Sequence, residues 1–173
     1  MRKRVTSSFR RLPNGANAAY YEQAALSVEG VRAAAVTPRA YGRGTVKVTV
    51  ASESGVPSAA LLSAVEDTIN EMREICVDLT VAAPSAVTVN VAAKVDAEEG
   101  YDGATVRNDV AAAVTAFFDG GLLGKSVTRA MLGSIIYGVE GVKNYTLTSP
   151  ASDVSASETA LPVLGTLSVT AWS

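Results

Sequence analysis

The segment Val28-Glu29-Gly30-Val31 recurs as Val139-Glu140-Gly141-Val142. The first copy continues as SVEGVRAAAVTPR and the second as GVEGVKNYTLTSP, so each follows a helical pattern and opens an extended stretch that ends at Pro38 or Pro150. A glycine that stops a helix and turns the chain directly into a strand is a structural device. Its double use predicts two small α+β modules in series.

The composition limits the classes of function. The chain has 173 residues, which is enough for one domain or two small ones. Its formal net charge of −2 argues against a nucleic-acid partner, because phosphate binding needs a concentrated cationic face. It contains no histidine and no nucleophile motif, so no active site is visible in the sequence. No apolar run approaches the roughly 20 residues of a membrane span.

Two local features concern the compartment of the protein. Cys76 is the single cysteine, so no internal disulfide can form, which fits a reducing compartment without establishing one. We expect Cys76 to be a small buried hydrophobic residue. Residues 1–16 begin with a basic run that resembles a mitochondrial presequence in composition, but a solvated tail or a helix end is the simpler interpretation. A secretory signal is not expected, because no apolar region follows the basic residues.

The first module is predicted over residues 17–83. A helix over 17–27 has Asn17 as its N-cap, and strands over 31–37 and 45–51 are joined by a tight hairpin turn at 41–44. The second strand alternates, with Val46, Val48 and Val50 inward and Thr45, Lys47 and Thr49 outward. A helix over about 58–74 follows, with Pro57 in its first turn, and then a short strand over 77–81.

The second module is predicted over residues 84–173, with the boundary at Pro84. It contains a strand with five inward positions from Val87 to Val95, an acidic loop, a helix over 104–118, a helix over 127–137 with Ser126 as N-cap, and strands over 142–149 and 164–172. The loop over 150–159 is expected to be mobile or ordered by a partner. Both modules are predicted as two-layer sandwiches, with helices on one face of a mostly antiparallel sheet.

Two loops have residues that suggest a ligand site. The acidic loop from Asp96 to Asp102 could bind a hard cation, but it lacks the ligand spacing of a calcium loop. Capping of the next helix by Asp102 or Thr105 explains it better. Residues 120–126, GGLLGKS, resemble the tail of a phosphate loop, but the glycines are misplaced and a helix precedes them. We therefore expect an interhelical turn there, and no metal or cofactor.

Several exposed elements are candidates for protein contacts. The turn with Tyr41 and Arg43 could meet a partner, although a hairpin turn needs no function. Asp153 and Glu158 lie in the 150–159 loop. Trp172 is either an interface anchor or a cover for the edge of the core. The long helix carries an acidic face, which serves either solubility or docking; its members are Glu66, Asp67, Glu71 and Glu74.

In order along the chain, these motifs resemble the middle and C-terminal regions of the baseplate J-like family of contractile phage tails and phage-derived tail particles. The resemblance covers about residues 10–173 and rests on NGANAAYYEQAALSVEGV, PRAYGRGTVKVTV, VPSAALLSAVEDTIN, VAAPSAVTVNVAAKV, DGATVRNDVAAAV, SIIYGVEGVKNYTL and LPVLGTLSVT. It implies a structural subunit of the baseplate wedge, found in the tail of the virion and assembled in the host cytoplasm. It also implies binding to other wedge and tail proteins, self-association, no enzymatic activity and no catalytic residues.

Family members usually carry a further N-terminal region, so the resemblance also implies that the chain is a short natural version or a truncated one. Two other classes remain open. A ligand-binding or regulatory α+β module would need a buried polar pocket. A small enzyme would have to use carboxylates, Lys or Tyr, and no carboxylates are paired at a suitable spacing.

Overall fold

The computed structural model describes residues 17–172, so the predictions for residues 1–16 and Ser173 lie outside it. The chain divides between Pro84 and Ser85 into two compact units. Unit 1 contains helix α1 (Ala18–Leu26), strands β1 (Val31–Pro38) and β2 (Thr45–Ser52), helix α2 (Ala59–Met72) and strand β3 (Asp78–Ala82). The second unit is longer in both its strands and its connections.

Unit 2 opens with its central strand. Its elements are β4 (Ser85–Ala97), α3 (Gly103–Phe117), a short 3-10 turn (Gly120–Leu122), α4 (Arg129–Tyr137), β5 (Val142–Ser149) and β6 (Ala160–Ala171). β6 starts four residues before the predicted position, because Ala160 and Leu161 already pair with Ser85 and Ala86 of β4. The α+β class predicted from the sequence is confirmed.

Each sheet is mixed, whereas the sequence predicted mostly antiparallel pairing. In unit 1 the order is β1-β2-β3, with β1 antiparallel and β3 parallel to the central β2. In unit 2 the order is β5-β4-β6, with β5 antiparallel and β6 parallel to the central β4. The physical reason is the connection: α2 carries the chain back from the end of β2 to the start of β3, and such a crossover leaves the strands parallel.

The helix caps follow local hydrogen bonding. Asn17, Ser58 and Asp102 cap α1, α2 and α3, so the prediction for Asn17 is confirmed. Pro57 lies just before the cap of α2 and not in its first turn. Ser126 was predicted to cap α4, which is wrong. The hydroxyl of Thr128 accepts from Met131 N at 3.2 Å and caps the helix instead.

The core of unit 1 lies between its sheet and its two helices. Tyr21 and Ala25 of α1 and Val65 and Ile69 of α2 pack with the inward valines of β2. Thr49 was predicted to point outward, but its side chain is fully buried and its hydroxyl has no hydrogen-bond partner among the described residues. Thr49 lies on the central strand β2, between Ala35 of β1 and Ala82 of β3. The alternation of apolar and polar residues along β2 cannot show that the second face of the sheet is also covered at this position.

The core of unit 2 follows the predicted alternation. Val89, Val91, Ala93 and Val95 of β4 are buried, and they meet α3 through Val106, Val110 and Val114. α4 contributes Leu132 and Ile136, which are fully buried. At about 25 cal/mol per Å² of apolar surface, each such side chain stabilises the fold by roughly 1.5–3 kcal/mol. The buried residues of α3 and α4 therefore pack with the sheet of unit 2.

The two VEGV segments have the same backbone geometry. Val31 N donates to Val28 O at 3.2 Å, and Val142 N donates to Val139 O at 3.3 Å. The glycine of each turn has a positive φ, 90° at Gly30 and 82° at Gly141, which favours residues without a Cβ. Each glycine carbonyl then accepts from the residue after the central strand, Glu53 or Glu98. Val31 and Val142 both begin edge strands, as predicted.

The two units thus share one spatial arrangement with a different chain order. In both, a central strand leads through a turn into a helix, and a helix–VEGV–strand segment supplies the antiparallel edge. In unit 1 this segment, α1–β1, comes before the central strand. In unit 2 the equivalent α4–β5 comes after it. None of the helices in residues 17–172 is long and apolar enough to cross a membrane.

Candidate interaction surfaces

The turn between β1 and β2 is built on Thr45. The Thr45 hydroxyl donates to Gly42 O at 2.8 Å and accepts from Tyr41 N at 3.0 Å, while Arg39 N donates to Thr45 O at 2.8 Å. These bonds fix the backbone and leave the side chains outside. Tyr41 is 67% exposed, and Arg43 is exposed beside it. An ordered turn with an exposed aromatic side chain is suited to contact a partner.

This turn rests on the segment that follows α2. Asp78 N donates to Gly44 O at 2.7 Å, which joins the start of β2 to the start of β3. Cys76 was predicted to be buried, and this prediction is wrong, because its thiol is exposed. The residue lies in the turn between α2 and β3, where no helix or strand covers it. Ile75, which the sequence analysis missed, is fully exposed next to it. Its residue type gave no signal of this exposure, because Ile75 follows Met72 by three residues and continues the helical spacing of apolar residues.

The loop over 150–159 is held by its own unit, contrary to the prediction that it is mobile or ordered by a partner. Asp153 Oδ1 accepts from Arg129 N at 2.8 Å, at the first turn of α4. Val154 forms a backbone bridge with Val127, and the Arg129 guanidinium reaches Pro150 O and Leu147 O. The loop is ordered by polar contacts. The prediction from the sequence considered only how few large apolar residues the loop contains.

Glu158 lies on the same loop but contributes differently. Its side chain is exposed, and its backbone carbonyl lies 3.0 Å from the position of a Cβ atom on Gly124. Gly124 has a positive φ of 70°, and its N–H donates to Ala160 O at 2.9 Å. The 120–126 segment is thus a turn that supports β6. Lys125 Nζ donates to Gly121 O at 2.6 Å within the same turn.

The C-terminal strand β6 forms one edge of its sheet. Trp172 N donates to Val95 O at 3.0 Å, so the pairing with β4 continues to the end of the strand, and the Trp172 side chain is 42% exposed. The strand contains a bulge opposite Asn90. Asn90 Oδ1 accepts from Thr166 N at 2.9 Å, and it lies 2.3 Å from where a Cβ on Gly165 would stand.

The acidic loop is organised as a helix start. The Asp102 carboxylate accepts from Thr105 N at 2.9 Å and from the Thr105 hydroxyl at 2.8 Å, and these bonds lower the pKa of Asp102. Tyr101 donates to Glu140 Oε1 at 2.9 Å, and this bond raises the pKa of the Tyr101 phenol. In residues 17–172 no group of three or more His, Cys, Asp or Glu side chains has a metal-binding arrangement.

The acidic side chains of α2 and of the turn after it also lie at the surface. Glu66, Asp67 and Glu71 of the helix and Glu74 of the turn are exposed, and their use as a docking face stays a prediction. Of the five proposed interface residues, Tyr41 and Arg43 lie in unit 1, and Asp153, Glu158 and Trp172 lie in unit 2. The structure brings the first two together in one turn. Asp153 has an intramolecular role in holding α4.

These features define a class of protein: two small α+β units that present ordered turns and a sheet edge and have no visible catalytic centre among the described residues. The baseplate J-like central domain matches residues 13–99, and the baseplate J-like protein C-terminal domain matches residues 89–170. The chain belongs to the baseplate J-like family.

A solved structure has a similar fold. It is the cryo-EM structure of the anti-feeding prophage (AFP) baseplate, 6-fold symmetrised, which matches with a TM-score of 0.62 and 12% sequence identity. The match covers 90% of this chain and 38% of that chain, so this chain spans well under half the length of the protein it resembles. No curated protein sequence matches the chain.

Proposed function

We propose that the chain is a wedge subunit of a contractile tail, that it acts by protein–protein assembly without catalysis, and that it associates both with itself and with other tail proteins. The family membership supports the baseplate role, and the exposed turn and sheet edge support the mode of action. We further propose that the particle is its working location and that assembly takes place in the host cytoplasm. Tyr41, Arg43, Glu158 and Trp172 are its proposed contact residues.

One observation carries the proposal most directly, namely the composition of β6. The edge strands β1, β3 and β5 each contain a charged residue, Arg32, Asp78 and Lys143, whereas β6 contains none in its twelve residues. Free sheet edges normally carry charges, prolines or bulges that prevent pairing with other chains. β6 has Pro162 and a bulge in its first part, so its last part, Leu167–Ala171, is the smooth and uncharged edge.

The backbone of this last part is available for a further strand. Trp172 N faces β4, and strand groups alternate with a period of two, so the N–H groups of Leu167, Val169 and Ala171 face away from β4. Addition of an extended segment there would use main-chain hydrogen bonds for affinity. Trp172 lies at the end of this edge, where an exposed indole can anchor the added segment.

The test is co-purification of the full chain with its neighbouring tail proteins. Val169→Pro removes an outward N–H and leaves the pairing with β4 intact, so we expect binding to fall at least tenfold while the melting temperature changes little. Val169→Thr is the matched control, since it keeps the N–H and should bind as the wild type does. Unchanged binding by Val169→Pro would show that assembly uses another surface.

A further inference from the structure

The two units differ at one equivalent position above the VEGV glycine. In unit 2 the turn after the central strand reads Glu98-Glu99-Gly100-Tyr101, and in unit 1 it reads Glu53-Ser54-Gly55-Val56. Gly100 and Gly55 both have a positive φ, 95° and 109°, and the first residue of each turn donates to the VEGV glycine carbonyl. Val56 therefore follows the glycine of its turn as Tyr101 does in unit 2.

In unit 2 an aromatic ring covers the glycine. A Cβ atom on Gly141 would lie 2.5 Å from Cδ1 and 2.7 Å from Cγ of Tyr101, so the ring rests directly on the glycine backbone. The Tyr101 hydroxyl donates to Glu140, the acidic residue of the same VEGV segment. Gly141 is buried as a result. The chain itself thus shows what fits above a VEGV turn.

In unit 1 the equivalent place is open as far as residues 17–172 are concerned. Of these residues, none comes closer to a Cβ on Gly30 than the Leu61 methyl groups, at 3.7 and 3.8 Å, and Gly30 is exposed. A pocket of about 510 Å³ stands there, and Gly30, Glu53, Val56 and Leu61 are among its lining residues. Glu29 corresponds to Glu140 and is exposed beside the pocket. The site therefore has the glycine platform and the acidic acceptor but lacks the ring.

The chain also presents a suitable aromatic side chain. Tyr41 is the most exposed tyrosine described, at 67%, and its turn carries the exposed cations Arg39 and Arg43. These cations complement the exposed Glu29 and Glu53 at the pocket. Tyr41 cannot reach the pocket of its own unit, because the turn and the pocket lie at opposite ends of the β1–β2 hairpin, where Pro38 pairs with Val46 and Val31 pairs with Ser52.

We propose that the pocket above Gly30 receives the Tyr41 side chain of a second copy of this chain, with Arg39 and Arg43 of that copy beside Glu29 and Glu53. This inference rests on the self-association stated under the proposed function and identifies its contact. The two surfaces differ, so the contact is head-to-tail and leads to rings or open chains of copies. The interface is small, and we expect a dissociation constant of roughly 100 µM for the isolated chain.

The test uses two variants of the full chain in analytical ultracentrifugation. Tyr41→Ala removes the ring that docks, and Val56→Tyr fills the pocket as Tyr101 does in unit 2. Each variant alone should lose self-association at least tenfold. An equimolar mixture should recover a 1:1 complex, because the first variant still has the pocket and the second still has the turn. Tyr137→Ala, at a similarly exposed tyrosine, is the control and should associate as the wild type does.

A charge exchange provides an independent test if Val56→Tyr does not fold. Glu53→Arg alone should weaken association, and Glu53→Arg combined with Arg43→Glu should restore it in part. If the wild type associates and Tyr41→Ala leaves association unchanged, the proposed contact is wrong while self-association stands. If the wild type stays monomeric at 1 mM, ten times the expected constant of roughly 100 µM, both are wrong for the isolated chain. Co-purification with other tail proteins still tests the wedge assignment separately.

Discussion

Asn90 and Thr166 close the bulge of β6: the Asn90 side-chain oxygen accepts the Thr166 N–H at 2.9 Å, in the place where a ladder bond is missing. The Asn90 carbonyl also accepts from the Ser149 hydroxyl of β5 at 2.8 Å. One residue of the central strand therefore fixes both neighbouring strands. The bulge separates the first part of β6 from the smooth edge that we propose for strand addition.

The first prediction concerns the space between the Asn90 side chain and Gly165. A Cβ on Gly165 would lie 2.3 Å from Asn90 Oδ1 and 2.5 Å from Thr88 Cγ2. We expect Gly165→Ala to destabilise unit 2 by about 1–3 kcal/mol. Urea unfolding followed by the fluorescence of Trp172, the single tryptophan, measures the loss. The double variant with Asn90→Ala should cost less than the sum of both, and strict additivity would contradict the contact.

The second prediction compares the two VEGV glycines. Alanine at either position must adopt a positive φ, which costs about 1–2 kcal/mol. At Gly141 the added methyl also displaces the Tyr101 ring, whereas at Gly30 the methyl meets, among the described residues, Leu61 alone and at an ordinary contact distance. We therefore expect Gly141→Ala to lower the free energy of unfolding distinctly more than Gly30→Ala does. Equal losses of unfolding free energy in the two variants would show that the Tyr101 ring can move aside without an energetic cost.

The third prediction is a pH dependence at the start of α3. Hydrogen bonds from Thr105 lower the pKa of Asp102 from its ordinary value of 3.8. Because the folded-state pKa is lowered, the carboxylate stabilises the fold fully at a pH above its unfolded-state pKa. This contribution is lost as the pH falls through the folded-state pKa. Asp102→Asn keeps a capping side chain without this titration.

Melting curves of wild type and Asp102→Asn between pH 2 and 7 measure the effect. The wild type should have the higher melting temperature at neutral pH. The difference should start to shrink below about pH 4, where Asp102 of the unfolded chain begins to bind a proton, and it should be lost as the pH falls through the lower folded-state pKa. A difference independent of pH would show that the carboxylate charge has no role in the cap.

The fourth prediction concerns the 150–159 loop. Because Asp153 holds the first turn of α4, Asp153→Ala should destabilise unit 2 by about 1 kcal/mol, the usual effect of losing a cap. Glu158→Ala is the matched control on the same loop and should stay within about 0.5 kcal/mol of the wild type. Deletion of residues 151–159 should likewise lower the melting temperature. A deletion without thermal effect would restore the idea of a loop ordered only by a partner.

The fifth prediction addresses the buried hydroxyl of Thr49. A buried donor without a partner costs about 1–3 kcal/mol, so Thr49→Val should raise the stability of unit 1 by roughly 1 kcal/mol. Thr80→Val on the neighbouring strand is the control, since Thr80 is only partly buried. Chemical unfolding followed by circular dichroism measures both. A loss of stability in Thr49→Val would indicate that the hydroxyl makes a hydrogen bond.

The sequence predicted those features that local chemistry determines. Asn17 and Asp102 could be assigned as caps because their side chains act within three residues, and Val31 and Val142 could be placed at strand starts because a glycine turn precedes each. The parallel pairing of β3 with β2 and of β6 with β4 could not be predicted, because the alternation of residues along a strand does not show which strand lies beside it. Cys76 was predicted to be buried from its residue type, which does not show that the turn between α2 and β3 leaves it uncovered.

The candidate site was predictable only in part. Tyr41 and Arg43 could be found because a hairpin turn exposes what it carries. The pocket above Gly30 could not be predicted. It is recognised as a site only when Val56 is compared with Tyr101, and these two residues follow different strands. The order of the 150–159 loop was missed for a related reason, since Asp153 and Arg129 are far apart in the sequence.

The different chain order of the two units has a consequence for folding kinetics. In unit 1 the central strand β2 pairs with a strand that is close to it in sequence, since Pro38 pairs with Val46. In unit 2 the central strand β4 is synthesised before its partners, and Ser85 can pair with Ala160 only when the chain has been made up to that residue. Contacts between residues distant in sequence form slowly. We therefore expect unit 1 to fold while unit 2 is still being made, and β4 to be the segment most in need of chaperone protection during synthesis.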